Sequence, residues 1–200
     1  MAPRLVLCSG SPRRREMLTG LGLRFDLEVP HVTEARRAGE NADVYPERLA
    51  CEKAAAGLAS WRSRGADKAV VAIAADTVVV AGDEVLEKPK DRADAERMLR
   101  KLSGVEHRVI TGVCVASGDP AEPRSRAVVT RVRFAPLSDT AIRYLVDSGD
   151  GDDKAGAYGI QGLAGAFIER IEGSFSNVVG LPMVETLALL AEAGLRTPWG

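Results

Sequence analysis

Leu5-Val6-Leu7-Cys8-Ser9-Gly10-Ser11-Pro12-Arg13-Arg14-Arg15 joins an apolar run to a Ser-Gly-Ser turn, a proline and three arginines. The apolar residues read as a buried strand. Ser11 then stands as N-cap of a helix with Pro12 in its first turn, where a missing N–H costs nothing. Arg13 and Arg14 thereby fall beside free backbone N–H groups at the positive end of the helix dipole. Two guanidinium groups, two hydroxyls and a helix N-terminus suit a polyanion, above all a phosphate chain. Taken alone, the stretch is equally an ordinary strand-to-helix turn with solvated arginines.

Working outward, Pro12 to about Leu21 reads as a helix with Met17, Leu18 and Leu21 inward, closed by Gly22. Phe25 to Val29 is a short strand, and Pro30 to Asp43 is polar and irregular, with Glu34 inside it. Pro46 opens a long helix to about Arg64, with Leu49, Ala54, Leu58 and Trp61 as its apolar stripe. Lys53 lies beside that stripe, where its stem can pack while its ammonium reaches a cleft. Ala69 to Ala75 is a β-type run ending at Asp76, Thr77 to Ala81 stays extended, and Gly82-Asp83 turns the chain back through Val85-Leu86. Asp91 caps a helix with inner face Ala95, Met98, Leu99 and Leu102 before Gly104. Strands follow at Arg108 to Ala116 and Arg126 to Phe134, around a Gly-Asp-Pro loop. Ser138 caps a helix ending at Gly149, Ala166 to Ile171 is a strand, and Pro182 to Ala193 is the last helix. This alternation with interspersed hairpins predicts an α/β fold with a mixed sheet and no linker, so residues 1–200 form one domain.

Composition narrows the function classes. At 46% hydrophobic and 28% charged the chain is a soluble globular one. Basic and acidic residues nearly cancel, 27 against 28, so no basic field is available for non-specific nucleic-acid binding. Three widely spaced cysteines, Cys8, Cys51 and Cys114, read as buried thiols in a reducing compartment, not as a zinc site or disulfide framework. Without a leader or a long apolar run the expected location is the cytoplasm, with no membrane partner.

Several residues could carry chemistry. Asp76, at the end of an apolar strand and behind two alanines that leave room, is a ligand-facing carboxylate or a turn aspartate. Lys88 is held extended by Pro89, and by itself reads as a solvated charge. Glu34 and Lys53 individually read as a loop charge and a snorkelling helix residue. Glycines 156, 159, 162 and 165 mark a loop needing positive φ or close approach to a ligand. Within it Asp153-Lys154 and Gln161 stand out, the last offering donor and acceptor side by side. His31 and His107 have no ligand spacing, and neither a G-x-S-x-G elbow nor a G-x-x-x-x-G-K-[ST] loop is present. What remains is carboxylates, lysines and arginines, the set used for metal-assisted attack on phosphate.

Ser-Gly-Ser-Pro-Arg-Arg, Arg-Leu-Ala-x-Glu-Lys-Ala, Ala-Asp-Thr, Glu-Val-Leu-Glu-Lys-Pro and Asp-Lys-Ala-Gly-Ala-Tyr-Gly-Ile-Gln-Gly follow one another in that order. Together they resemble the Maf family of nucleoside triphosphate pyrophosphatases, over nearly the whole chain. The resemblance implies a fold like that of the inosine triphosphate pyrophosphatases, with two lobes around a cleft. It also implies hydrolysis of a nucleoside triphosphate to the monophosphate and pyrophosphate with a divalent metal, magnesium or manganese. Carried over by position, Asp76 matches the family's catalytic acidic residue, and Ser9, Arg13 and Arg14 its phosphate-binding motif. Glu34, Lys53, Lys88 and Gln161 match the other polar positions of the cleft. Arg13, Thr77 and Gln161 resemble the subgroup acting on dTTP and UTP, where the 7-methyl-GTP subgroup has Trp, Gln and Glu. Glu34 and Asp76 are the candidates for holding the metal.

Two rival readings stand beside this one. The first is a non-catalytic nucleotide-binding regulator of cell division, and the second a phosphohydrolase that releases orthophosphate. The oligomeric state, including a homodimer, is left open by the sequence.

Overall fold

The computed structural model describes residues 3–65, 69–118, 122–197 and 199. Its strands are β1 (Arg4–Cys8), β2 (Asp26–Glu28), β3 (Val70–Ala81), β4 (Glu84–Leu86), β5 (Glu106–Ser117), β6 (Glu122–Phe134) and β7 (Ile168–Glu172). Its helices are α1 (Pro12–Gly20), α2 (Tyr45–Ser63), α3 (Arg92–Leu102), α4 (Asp139–Ser148), α5 (Phe175–Val179) and α6 (Met183–Glu192). The strands pair in the order β2-β1-β3-β5-β6-β7, with β4 on β3. β1 is parallel to β2 and β3, whereas β4 on β3 and β7 on β6 are antiparallel, so the sheet is mixed as the sequence predicts. Among the described residues no helix is long and apolar enough to cross a membrane.

The chain divides into two compact units. The first comprises residues 1–76, 111–128 and 180–200. Strand alternation sorts its core onto two sides. Leu5 and Leu7 of β1, Val71, Ile73 and Ala75 of β3, and Val113 and Val115 of β5 pack with Leu18 of α1 and Leu189 and Leu190 of α6. The intervening residues Val6, Cys8, Val70, Ala72, Ala74, Cys114 and Ala116 pack against Ala50, Ala54 and Leu58 of α2.

The second side is lined by small residues, and α2 lies close on it. A methyl group added to Gly112 of β5 would stand 2.3 Å from Glu47 Cα, and one on Gly57 would stand 2.2 Å from Cys8 Sγ. At Gly112 strand and helix backbones therefore meet directly, and at Gly57 the helix backbone rests on the Cys8 side chain.

The second unit comprises residues 77–110 and 129–179. Val79, Leu86, Met98, Leu99, Leu102, Phe134, Ile142 and Leu145 belong to its core, with Tyr158 among them. Asp91 caps α3 by accepting from Asp94 N–H at 2.8 Å, and Ser138 caps α4 by accepting from Ala141 N–H at 3.1 Å, both as predicted. The Gly82-Asp83 turn also stands as predicted, with Ala81 opposite Glu84. The connection between β5 and β6 lies largely outside the described residues.

Three expectations need correction. Asp76 does not end a strand at the sheet margin. β3 runs on through the β-branched residues that follow, and Asp76 lies within it. Ser11 stands at the N-cap of α1 but its side chain makes no capping bond. Ser9 Oγ instead shapes the turn before the helix, accepting from Ser11 N–H at 3.2 Å. Cys51 is half-buried, unlike Cys8 and Cys114.

Candidate active site

Alternation along β3 decides where Asp76 points. It shares a face with Ala72 and Ala74, the residues under α2, and Lys53 precedes Ala54 on that helix. The two side chains meet at a distance of 2.7 Å between Lys53 Nζ and Asp76 Oδ1. The ammonium also reaches Glu34 Oε1 at 2.8 Å, so one lysine gathers two carboxylates. Lys53 and Asp76 are each 8% exposed, whereas the Glu34 side chain is half exposed on the irregular segment before α2.

Arg14 approaches the same cluster from α1. Its Nε donates to the Gly180 carbonyl at 2.8 Å and its Nη1 to Ser9 Oγ at 3.3 Å. Burial pulls the Arg14 pKa below its ordinary value, while Asp76 and Glu34 support its charge and Arg13 opposes it. Burial likewise pushes the Asp76 carboxyl above its ordinary value, against the attraction of Lys53 and Arg14 and with the help of Glu34. Ser9, Arg13, Arg14, Glu34, Lys53 and Asp76 thus form one electrostatic group in the first unit.

Thr77, Lys88 and Gln161 belong to the second unit. Thr77 is half-buried on β3, and Lys88 is exposed in the connection between β4 and α3. Gln161 is exposed in the glycine-rich loop, which is folded tightly on itself. Lys154 Nζ donates to Asp153 Oδ1 at 2.8 Å and to the Asp150 carbonyl. A side chain on Gly162 would run into the Asp150 carboxylate at 1.9 Å, and Gly156 alone of the four repeated glycines has a positive φ, +73°. The glycines therefore serve close packing within the loop more than backbone reversal. Tyr158 anchors it from inside, its hydroxyl 2.8 Å from His107 Nε2 and its ring edge-on to Phe134.

Two cluster partners escape sequence reasoning. Gly180 holds Arg14 through its carbonyl and has φ +118°, which favours glycine, but one glycine between apolar residues carries no local signal. Arg48 braces the Glu34 segment. It opens the Arg-Leu-Ala-x-Glu-Lys-Ala motif, and that position is the signal that could have singled it out.

Among the described residues no three His, Cys, Asp or Glu side chains converge as a metal cage. Two adjacent carboxylates gathered on one ammonium are nevertheless a donor set that fits magnesium. That ion is commonly held by one or two carboxylates and completed by substrate phosphate oxygens and water.

Residues 4–193 match the model of the Maf-like protein family, and the chain belongs to that family. It is 50% identical over 193 residues to a dTTP/UTP pyrophosphatase of Hahella chejuensis, covering 96% of this chain and 94% of that protein. A dTTP/UTP pyrophosphatase of Anaeromyxobacter dehalogenans (strain 2CP-C) is 50% identical over 201 residues, with 100% and 98% covered. A third, from Vibrio cholerae, is 52% identical over 187 residues, with 94% and 96% covered.

Proposed function

We propose that this chain is a nucleoside triphosphate pyrophosphatase that hydrolyses dTTP and UTP to the monophosphate and pyrophosphate. The observation that carries the reading is half-identity, over nearly the whole of both chains, to proteins named for that activity. The polar cluster around Lys53 agrees with it chemically, and residues 1–200 are read as one functional domain.

A triphosphate brings more negative charge than one metal ion neutralises. Arg13, Arg14 and the N–H groups opening α1 are assigned to its phosphates, with Lys88 as a further cation. Ser9 Oγ accepts from Ser11 and Arg14, which leaves its own proton for a phosphate oxygen. Asp76 is assigned the proton-accepting role. Lys53 fixes one of its oxygens, which leaves the other to face the attacking water. Glu34 and Asp76 are the residues that would hold magnesium or manganese. When bound, such an ion lowers the pKa of its water and withdraws charge from phosphate. Thr77 and Gln161 are assigned to base recognition.

The test is the product. With dTTP or UTP and magnesium, pyrophosphate and monophosphate should appear in equal amounts from the first turnover. Orthophosphate as the first product would replace this reading with a phosphatase, and tight nucleotide binding without turnover would replace it with a regulator.

A further inference from the structure

The segment between β2 and α2 has no regular secondary structure, yet it delivers Glu34 to Lys53. Irregular backbone needs side chains to fix its path, and here one side chain dominates. Arg48, in the first turns of α2, donates from Nη2 to the carbonyl of Ala35, the neighbour of Glu34, at 3.1 Å. The same guanidinium grips both Glu40 oxygens, Nε to Oε1 at 2.5 Å and Nη2 to Oε2 at 2.8 Å. Its Nη1 donates to Glu52 Oε2 at 3.0 Å, tying it to its own helix, and its Cζ lies 5.4 Å from the Tyr45 ring centroid.

Glu40 extends the brace from the other side. Its Oε2 accepts from Arg37 N–H at 3.0 Å, closing the turn at residues 37–40, and its carbonyl accepts from Arg36 Nε at 2.8 Å. Glu52 accepts from Arg37 Nη2 at 2.9 Å. The Arg48 and Glu40 side chains are 15% and 11% exposed, so the fork is shielded from solvent in a way that surface pairs are not. The Arg48 bonds hold the Glu40 carboxyl far below its ordinary value, at about 2, so the pair stays ionised throughout the working pH range.

We propose that Arg48 is the positioning residue for Glu34: its guanidinium fastens the Ala35 carbonyl and the Glu40 carboxylate to α2, and so sets where the Glu34 carboxylate meets Lys53. A lysine cannot substitute, because an ammonium lacks the planar fork that engages Glu40, Glu52 and a carbonyl together. The proposal rests on the assignment of Glu34 to the catalytic cluster, and Arg48 itself touches no reacting atom.

The test is a double-mutant cycle on the full chain with Arg48→Lys, Glu34→Gln and both, alongside Glu40→Gln as a milder break of the same fork. Arg48→Lys and Glu40→Gln should each lower kcat by about ten- to a hundredfold, the range for a catalytic group displaced by about 1 Å, with a smaller change in KM. In the Glu34→Gln background Arg48→Lys should add less than about twofold, since the group it positions is already gone. A full additional loss there would overturn the proposal. Hydrogen exchange gives a readout without turnover: amides 34–40 should exchange faster in both fork variants, with α2 unchanged. Unchanged exchange at 34–40 in both would also overturn it. A wild-type chain that cleaves neither nucleotide overturns the functional reading, and the exchange experiment still decides the brace.

Discussion

Lys53 Nζ stands 2.7 Å from Asp76 Oδ1, with the two side chains only 10% and 12% exposed. An ion pair so shielded does not stabilise the fold simply by being close. The cost of stripping water from the carboxylate competes with the attraction, and at Asp76 that cost wins, because its pKa is raised. A carboxyl whose folded pKa lies above its unfolded value is protonated more readily in the native state. Its ionisation therefore subtracts stability as pH rises through that interval.

Asp76→Asn should consequently lower turnover by about a hundredfold or more, as expected for removal of a catalytic base. The melting temperature at neutral pH should stay level or rise, because a poorly solvated charge has been removed while Lys53 keeps Glu34. Thermal unfolding together with initial rates checks both halves. Near-normal turnover, or a large fall in melting temperature, contradicts the assignment.

His107 gives the opposite pH sign. Burial lowers its pKa to about 4 from an ordinary 6.5. Between those values the unfolded chain binds a proton that the native chain refuses, so stability should fall as pH drops below 6.5. The slope attributable to this residue approaches about 1.4 kcal/mol per pH unit. Denaturant unfolding at pH 7 and pH 5 should show the decline, and His107→Gln should flatten it. An identical slope in the variant would assign the decline to other groups.

Gln161 tests base choice. Uracil and thymine offer an N3–H donor flanked by carbonyls, which a Gln amide matches by accepting at N3 and donating to O4. Gln161→Glu keeps the acceptor but sets an oxygen against O4, a loss of about 1–3 kcal/mol or roughly 5- to 150-fold. Steady-state kinetics should show that drop in kcat/KM for UTP and dTTP and a smaller one for CTP. Equal losses across pyrimidines would make Gln161 a loop-positioning residue.

The three thiols should differ in reactivity. Hydrogen bonds from Cys114 and Ser125 lower the Cys51 pKa to about 7, whereas burial pushes Cys8 up to about 12, and the hydrogen bond with Cys51, together with burial, raises Cys114. Iodoacetamide at pH 7.5 should label Cys51 alone in the native protein, with a rate that climbs through pH 7. Peptide mapping that finds Cys8 or Cys114 labelled as fast would refute this.

Features governed by neighbouring residues were legible in the sequence. The α3 helix shows its Asp91 cap, its Ala95, Met98, Leu99 and Leu102 face and its closing Gly104 within fourteen consecutive residues, and each stands as predicted. The Gly82-Asp83 hairpin is equally local. That Asp76 lies inside a strand follows from the pairing of the residues after it with β4, and that it meets Lys53, 23 residues away, shows only in the fold. The course of the Glu34 segment was illegible for a similar reason, being set by pairing between Arg48 and Glu40. The five-residue α5 is too short to show a helical period, so no local pattern marks it. The residue types at the site were readable, but their meeting on Lys53 required the fold.

The glycine contacts beneath α2 bear on where Lys53 stands. Gly112 meets the helix at Glu47 and Cys8 meets it at Gly57, ten residues on, a span of about 15 Å. These two contacts limit how closely α2 can approach the strands, and Lys53 lies between them. Lys53 is thereby set at a fixed height over the strands, and the Glu34 segment, tied to the same helix through Arg48, takes its level from that datum.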